Sequence, residues 1–290
     1  MPSLARALWV SALALAVQAP PLQAASVAPV AAESGMVVSA QQLATRVGVD
    51  VLRDGGNAVD AAVAVGYALA VVYPAAGNLG GGGFMTLHLA DGRRTFIDFR
   101  ETAPRAATPD MYLRDGQFRR DLSLNGPLAA AIPGTPAALV ELAEQRGRLP
   151  LEATLAPAIA LARDGFEVDA VYRQRASWRL AALRDDPESA RLFLDEGDLP
   201  AEGHLLRQPE LAQTLERLAS NGRDGFYRGE TAKKLVAGVN QAGGRWTAQE
   251  LAGYQVKQRK PIVFEYKGWK VTTAPPPSSG GIALATMLQI

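Results

Sequence analysis

Apolar and polar positions alternate with breakers along the chain so that most elements can be marked out. In "MVVSAQQLATRVGVDVLRDGGNAVD", Leu43, Val47 and Val51 recur every fourth residue and share one helical face. Ser39 and Gln42 have capping-box spacing at its start, and Gly55 stands where a left-handed residue ends a helix. The next run, "AVDAAVAVGYALAVVY" from Ala58 to Tyr73, is apolar almost all round. A helix without a polar face belongs in a core. Asn57 is placed to cap it and Pro74 to stop it, and with Asp60 and Gly66 inside it is a core helix, not a membrane span.

"FMTLHLA", the turn Asp91-Gly92 and "RRTFIDFR" then predict a β-hairpin. On its second strand Phe96, Asp98 and Arg100 point one way, and Ile97 and Phe99 the other. From Ile132 to about Asn240 the pattern is mainly helical. Glu152–Arg163 is amphipathic and stops at Gly165. Leu211–Ala219 and Glu230–Gln241 follow, the latter closed by Gly243-Gly244. Thr247 and Glu250 form a second capping box. Strands are expected at Tyr254–Lys260, Ile262–Tyr266 and Trp269–Thr273, the last two joined at Lys267-Gly268. "PPPSSGG" leads into "IALATMLQI", which opens like a helix and meets no cap, charge or breaker. That pattern is expected of the front part of a longer chain.

Ahead of the folded region, Arg6 precedes the short apolar stretch "ALWVSALALAV", and "QAPPLQAAS" supplies small residues. Residues 1–24 therefore read as a signal peptide cleaved after Ala24, 25–35 as a linker and 36–290 as the folded region. The mature protein is expected to be periplasmic or secreted, with no membrane attachment after cleavage. Net charge is +1, which gives no reason to expect a nucleic-acid partner. The absence of cysteine excludes disulfides, zinc–thiolate sites and thiol nucleophiles. Any Ser-His-Asp triad would have to draw on His88 or His204.

"YPAAGNLGGGGFM", Tyr73 to Met85, invites comparison with a phosphate cradle. No lysine follows it, the dinucleotide spacing fails, and it runs from helix to strand, the reverse of the order that aims a helix N-terminus at phosphate. A close-packed connection beside a functional cavity is the better reading. Arg100 is the sharper candidate. Its planar fork can grip a carboxylate bidentately, or it can pair with Asp98 or Glu101, and spacing alone leaves both open. Ser278 and Ser279 lack the G-x-S-x-G context of a nucleophile and read as a helix cap. Asp60 reads as a satisfied polar group near a helix start. Arg119-Arg120 and Lys233-Lys234 read as solvated faces.

Five segments in order carry a resemblance: Gly55 to Met85, "IDFRETAP" (Ile97 to Pro104), "IPGTPAAL" (Ile132 to Leu139), "LARDGF" (Leu161 to Phe166) and "PPPSSGG" (Pro275 to Gly281). Together they resemble the γ-glutamyltranspeptidases, or glutathione hydrolases, over nearly all of the chain after Met36. The resemblance implies an α+β fold, the αββα four-layer sandwich of N-terminal-nucleophile hydrolases. It implies a proenzyme that cuts itself into a large and a small subunit, which stay together as a heterodimer. The small subunit's new N-terminal threonine attacks glutathione or another γ-glutamyl donor. Water, an amino acid or a dipeptide then takes the acyl group. A threonine activated by its own α-amine needs no histidine, metal or cofactor. In this family the arginine of "DFRE", here Arg100, binds the donor's α-carboxylate, and the glycine run packs near the active site. The family's catalytic threonine lies beyond "PPPSSGG", together with the oxyanion-hole donors and the amine-binding groups. No catalytic residue is therefore expected within residues 1–290, and the chain alone is expected to be inactive. Two alternatives remain open: a glutaryl (cephalosporin) acylase or polyglutamate-processing relative on the same scaffold, and a non-catalytic assembly partner. Retention of Arg100 favours a γ-glutamyl donor.

Overall fold

The computed structural model describes residues 29–290. The expected signal segment, 1–24, lies outside the described residues. Residues 29–36 carry no helix or strand, and a compact unit spans Val37–Ile290.

Helix α1 covers Gln42–Arg53. Its cap differs from the expected Ser39/Gln42 box. Gln41, in extended conformation, folds its own side chain back to accept from the N–H groups of Leu43 and Ala44. Ser39 lies two residues too early, and its hydroxyl turns to the Gln41 carbonyl (2.9 Å) and the Thr45 hydroxyl (2.8 Å). At the other end Gly55 has φ +92, as a left-handed terminator should. Val51 is buried, and Leu43 and Val47 pack against the core.

Helix α2, Ala58–Val72, is the apolar helix expected, and it is capped reciprocally by Asn57 and Asp60. Val63, Tyr67, Ala68 and Val71 are fully buried along it. Its small residues admit neighbours closely: a Cβ at Gly66 would sit 3.0 Å from Leu139.

Strands β1 (Phe84–His88) and β2 (Arg94–Asp98) form the predicted hairpin, with Phe84 opposite Asp98 and His88 opposite Arg94. Leu89 donates to the Arg93 carbonyl, so the loop holds Ala90, Asp91 and Gly92. Strand β3, Lys257–Arg259, adds to the far edge of β2 and completes an antiparallel sheet in the order β1-β2-β3. The expected strand Tyr254–Lys260 is shorter than predicted. Tyr254 still belongs to the turn that closes the Ala248–Ala252 helix, donating its N–H to Leu251, and Pro261 offers no N–H to extend the ladder. Phe96, Ile97 and Asp98 on β2 are all buried, so both faces of the central strand are covered.

Helices α3 (Thr135–Arg146), α4 (Leu151–Asp164), α5 (Pro209–Asn221) and α6 (Gly229–Gln241) follow. Helix α2 packs against α1, α3 and α4, and α4 packs against α5. One buried cluster runs from Ala44 to Tyr254 through these elements. Strands β4 (Ile262–Tyr266) and β5 (Trp269–Thr273) pair only with each other among the described residues. Lys267 and Gly268 between them both have positive φ, as a two-residue hairpin turn requires. Helix α7, Gly280–Leu288, starts after Ser279, whose side chain makes no capping bond. The neighbouring Ser278 hydroxyl accepts from Gly280 instead (3.3 Å). Among the described residues no helix is long and apolar enough to cross a membrane.

Candidate functional site

Arg100 leaves the end of β2 on a backbone fastened at four points. Phe99 pairs with Gly83, donating to its carbonyl (3.0 Å) and accepting from its N–H (3.3 Å). Thr102 and Ile132 exchange hydrogen bonds of 3.1 and 2.9 Å. Asp98 Oδ1 accepts from the Arg100 N–H (3.1 Å). The Tyr254 hydroxyl donates to the Arg100 carbonyl (2.9 Å). The backbone is thus held while the Arg100 side chain is exposed.

An ion pair between Arg100 and Asp98 was one reading of the sequence. The Asp98 carboxylate, 6% exposed, is taken instead by Arg259 of β3, whose Nε donates to Oδ2 at 2.7 Å. Among the described residues the Arg100 guanidinium has neither a salt bridge nor a hydrogen bond, and Asp98 receives only its backbone N–H. An exposed, unpaired guanidinium on a fixed backbone can dock a carboxylate bidentately.

The glycines surround this segment. A Cβ on Gly82 would overlap the Phe99 carbonyl and come within 3.0 Å of Arg100 Cα, and one on Gly83 would press the Phe99 ring at 3.0 Å. Gly81 accepts at its carbonyl from Gly134 (2.8 Å) and Thr135 (3.0 Å). A Cβ on Gly134 would overlap both the Phe99 carbonyl and the Tyr254 hydroxyl. Bare backbone here serves close packing around Arg100. Other glycines differ: a Cβ on Gly77 would overlap the Leu69 carbonyl, one on Gly81 would meet the Asn78 side chain, and nothing lies within 4 Å of one on Gly80. The cavity expected beside the stretch opens at its first residues: about 970 Å³ lies against Tyr73–Ala76, walled by Tyr172, Trp178 and Phe193, and neither the four consecutive glycines nor Arg100 lines it.

Tyr254, to which the sequence reading gave no role, is buried. Its ring stacks on Tyr227 at 6.0 Å, and its carbonyl accepts from Arg223. Burial pushes its phenol well above the usual range; the Asp98 and Glu101 charges add to this and Arg223 opposes it. The hydroxyl therefore stays protonated and able to donate. Nothing in local spacing marks this residue, because its partner lies 154 positions away.

The remaining candidates stay apart. His88 is exposed on β1, and His204 sits 3.5 Å from Asp195. Neither histidine hydrogen-bonds to a hydroxyl among the described residues, so no serine–histidine pair forms there. Asp60 is fully buried and satisfied by three peptide N–H groups, those of Asn57 (2.8 Å), Arg148 (2.9 Å) and Leu149 (3.3 Å). Arg119 pairs with Asp121, and Lys234 with Glu230, on exposed faces. Among the described residues no cluster of three or more histidine or acidic side chains could hold a metal.

A family model described as gamma-glutamyltranspeptidase matches residues 44–290. The chain belongs to the γ-glutamyltranspeptidase family. A glutathione hydrolase proenzyme of Pseudomonas sp. (strain A14) is 47% identical over 275 residues, covering 93% of this chain and 47% of its own length. The Escherichia coli (strain K12) glutathione hydrolase proenzyme is 46% identical over 264 residues, covering 90% and 46%. The chain thus spans about half the length of the curated relatives it matches. The crystal structure of Helicobacter pylori γ-glutamyltranspeptidase aligns with a TM-score of 0.87 at 40% identity, over 90% of this chain and 75% of that one. Three of the segments that carry the γ-glutamyltranspeptidase resemblance converge on Arg100: the glycine run, "IDFRETAP" and the "IPG" turn.

Proposed function

We propose that this chain is the large-subunit portion of a glutathione hydrolase proenzyme, and that Arg100 binds the α-carboxylate of the γ-glutamyl donor. The observation that carries the proposal is the Arg100 guanidinium. It is exposed and unpaired among the described residues, on a backbone held from both sides. Identity of 46–47% to glutathione hydrolase proenzymes supports the reaction.

In this reading, a threonine in the part of the relatives outside the match attacks the γ-glutamyl amide. Its own α-amine takes the hydroxyl proton and returns it to the leaving amine. Arg100 holds the far end of the donor, which fixes the distance from the carboxylate to the scissile carbonyl and orients the amide for attack. Water or an amine acceptor then releases the γ-glutamyl group. The described sheet and helices form part of an αββα sandwich completed by the small subunit. Residues 1–24 are a cleaved signal, 25–35 a linker, and the mature heterodimer is periplasmic or secreted.

The test is Arg100→Lys in the complete, matured enzyme. Lysine keeps the charge and loses the fork, so the expected cost is at the lower end of that for a truncated buried ion pair, about 2 kcal/mol, or ~30-fold in KM for glutathione. An unchanged KM would remove Arg100 from the site. A glutaryl amide ends in the same carboxylate. Arg100 therefore does not favour a γ-glutamyl over a glutaryl donor, as its retention in the sequence was expected to, and the direct comparison is turnover of γ-glutamyl against glutaryl amides.

A further inference from the structure

The Arg100 backbone is more tightly held than an exposed residue past a strand end needs. Its carbonyl lies beyond the end of β2, one residue past the last backbone pairing, that of Phe99 with Gly83. Ordinarily such a group would be left to water. Here a buried tyrosine hydroxyl reaches it at 2.9 Å, and a buried carboxylate takes the N–H of the same residue at 3.1 Å. Both groups are themselves fixed. Arg259 Nε holds the other Asp98 oxygen at 2.7 Å. Tyr254 stacks on Tyr227, whose hydroxyl donates to the Pro133 carbonyl (2.8 Å) and accepts from the Ala137 N–H (3.2 Å). Gly134 leaves open the space through which the Tyr254 hydroxyl reaches Arg100.

A long, flexible side chain binds an anion well only if its root is immobile, since ordering it on binding otherwise subtracts from affinity. We propose that Tyr254 and Asp98 are positioning residues that aim Arg100 at the donor carboxylate, with Arg259 holding Asp98 in place. The proposal rests on the reading of Arg100 as the carboxylate-binding residue. Donor binding then depends on one phenolic hydroxyl in the turn before β3 that does not touch the donor.

The test is Tyr254→Phe in the complete, matured enzyme, alone and combined with Arg100→Lys, using a chromogenic γ-glutamyl anilide. Phenylalanine keeps the ring stack and removes only the hydroxyl. The expected result is a KM raised about five- to tenfold, the worth of one hydrogen bond, with kcat within about twofold. In the Arg100→Lys background the same change should raise KM less, because the bidentate contact that depends most on aim is gone. If Arg100→Lys raises KM and Tyr254→Phe does not, the positioning role is overturned while the Arg100 reading stands. If Tyr254→Phe acts equally in both backgrounds, or lowers only the melting temperature, the hydroxyl is structural and the proposal fails. If Arg100→Lys leaves KM unchanged, both readings fall together. Should Tyr254→Phe not mature, Asp98→Asn keeps an oxygen for the Arg100 N–H while weakening the Arg259 anchor. Its expected KM increase is about threefold, again smaller in the Arg100→Lys background, and an unchanged KM would overturn the proposal.

Discussion

At the scale of single residues, the four consecutive glycines are not equivalent. Gly82 and Gly83 face the Phe99–Arg100 backbone and the Phe99 ring, whereas Gly80 faces open space. Gly82→Ala must therefore push the Arg100 segment away, and overpacking of this kind typically costs about 1–3 kcal/mol. Gly80→Ala should fall within about 0.5 kcal/mol of neutral. Urea midpoints of the two variants in the complete protein check this, and equal midpoints would contradict the packing account. The sequence made bare backbone legible in this run, and ruled out phosphate by the missing lysine and the helix-to-strand order. It did not show what the backbone packs against, because that contact joins segments far apart in the chain. The same holds for Arg100. Its place at a strand end was readable, but its freedom from Asp98 depends on Arg259, which lies 161 positions after Asp98.

At the scale of elements, capping chemistry explains both the successes and the failures of the sequence reading. Asn57 and the Thr247/Glu250 box cap their helices as their spacing predicts. Gln41 displaces the Ser39/Gln42 box because a longer side chain can fold back on its own helix, which the short-residue rule does not anticipate. Asp60 does more than cap. Both its oxygens accept from peptide N–H groups, and those of Arg148 and Leu149 tie the start of α2 to the loop after α3. Asp60→Asn should therefore destabilise although it is nearly isosteric, because the new amide N–H₂ would face donors. Stranding buried donors costs about 1–3 kcal/mol each, so the denaturation midpoint should fall clearly. A midpoint equal to that of the parent protein would mean that the loop re-forms around the amide.

At the scale of the whole molecule, the core and the exposed apolar surface lie in different parts of the chain. Among the described residues only Pro261, Pro275 and Gly281 are buried after Tyr254. Beyond it the β4–β5 hairpin and α7 expose Val263 (46%), Trp269 (76%), Ile282 (50%) and Met287 (64%). Helix α7 was legible from its apolar run, but sequence alone could not tell that the run stays uncovered here, since that depends on what packs against it. Monomers seldom leave large apolar patches in water. The four-layer sandwich is an expectation that the family resemblance implies, and the largest sheet among the described residues has three strands. The 290-residue chain, expressed alone, is therefore expected to self-associate, and, because the resemblance puts the catalytic threonine beyond "PPPSSGG", to cleave no γ-glutamyl amide. Light scattering during size-exclusion chromatography checks the first point, and charged substitutions at Ile282 and Met287 should reduce the association. A stable monomer that binds no apolar dye would mean the hairpin and α7 cover one another in solution. Measurable amide hydrolysis by that chain, lost on Arg100→Lys, would place the nucleophile within these 290 residues and overturn the assignment of catalysis to the rest of the proenzyme.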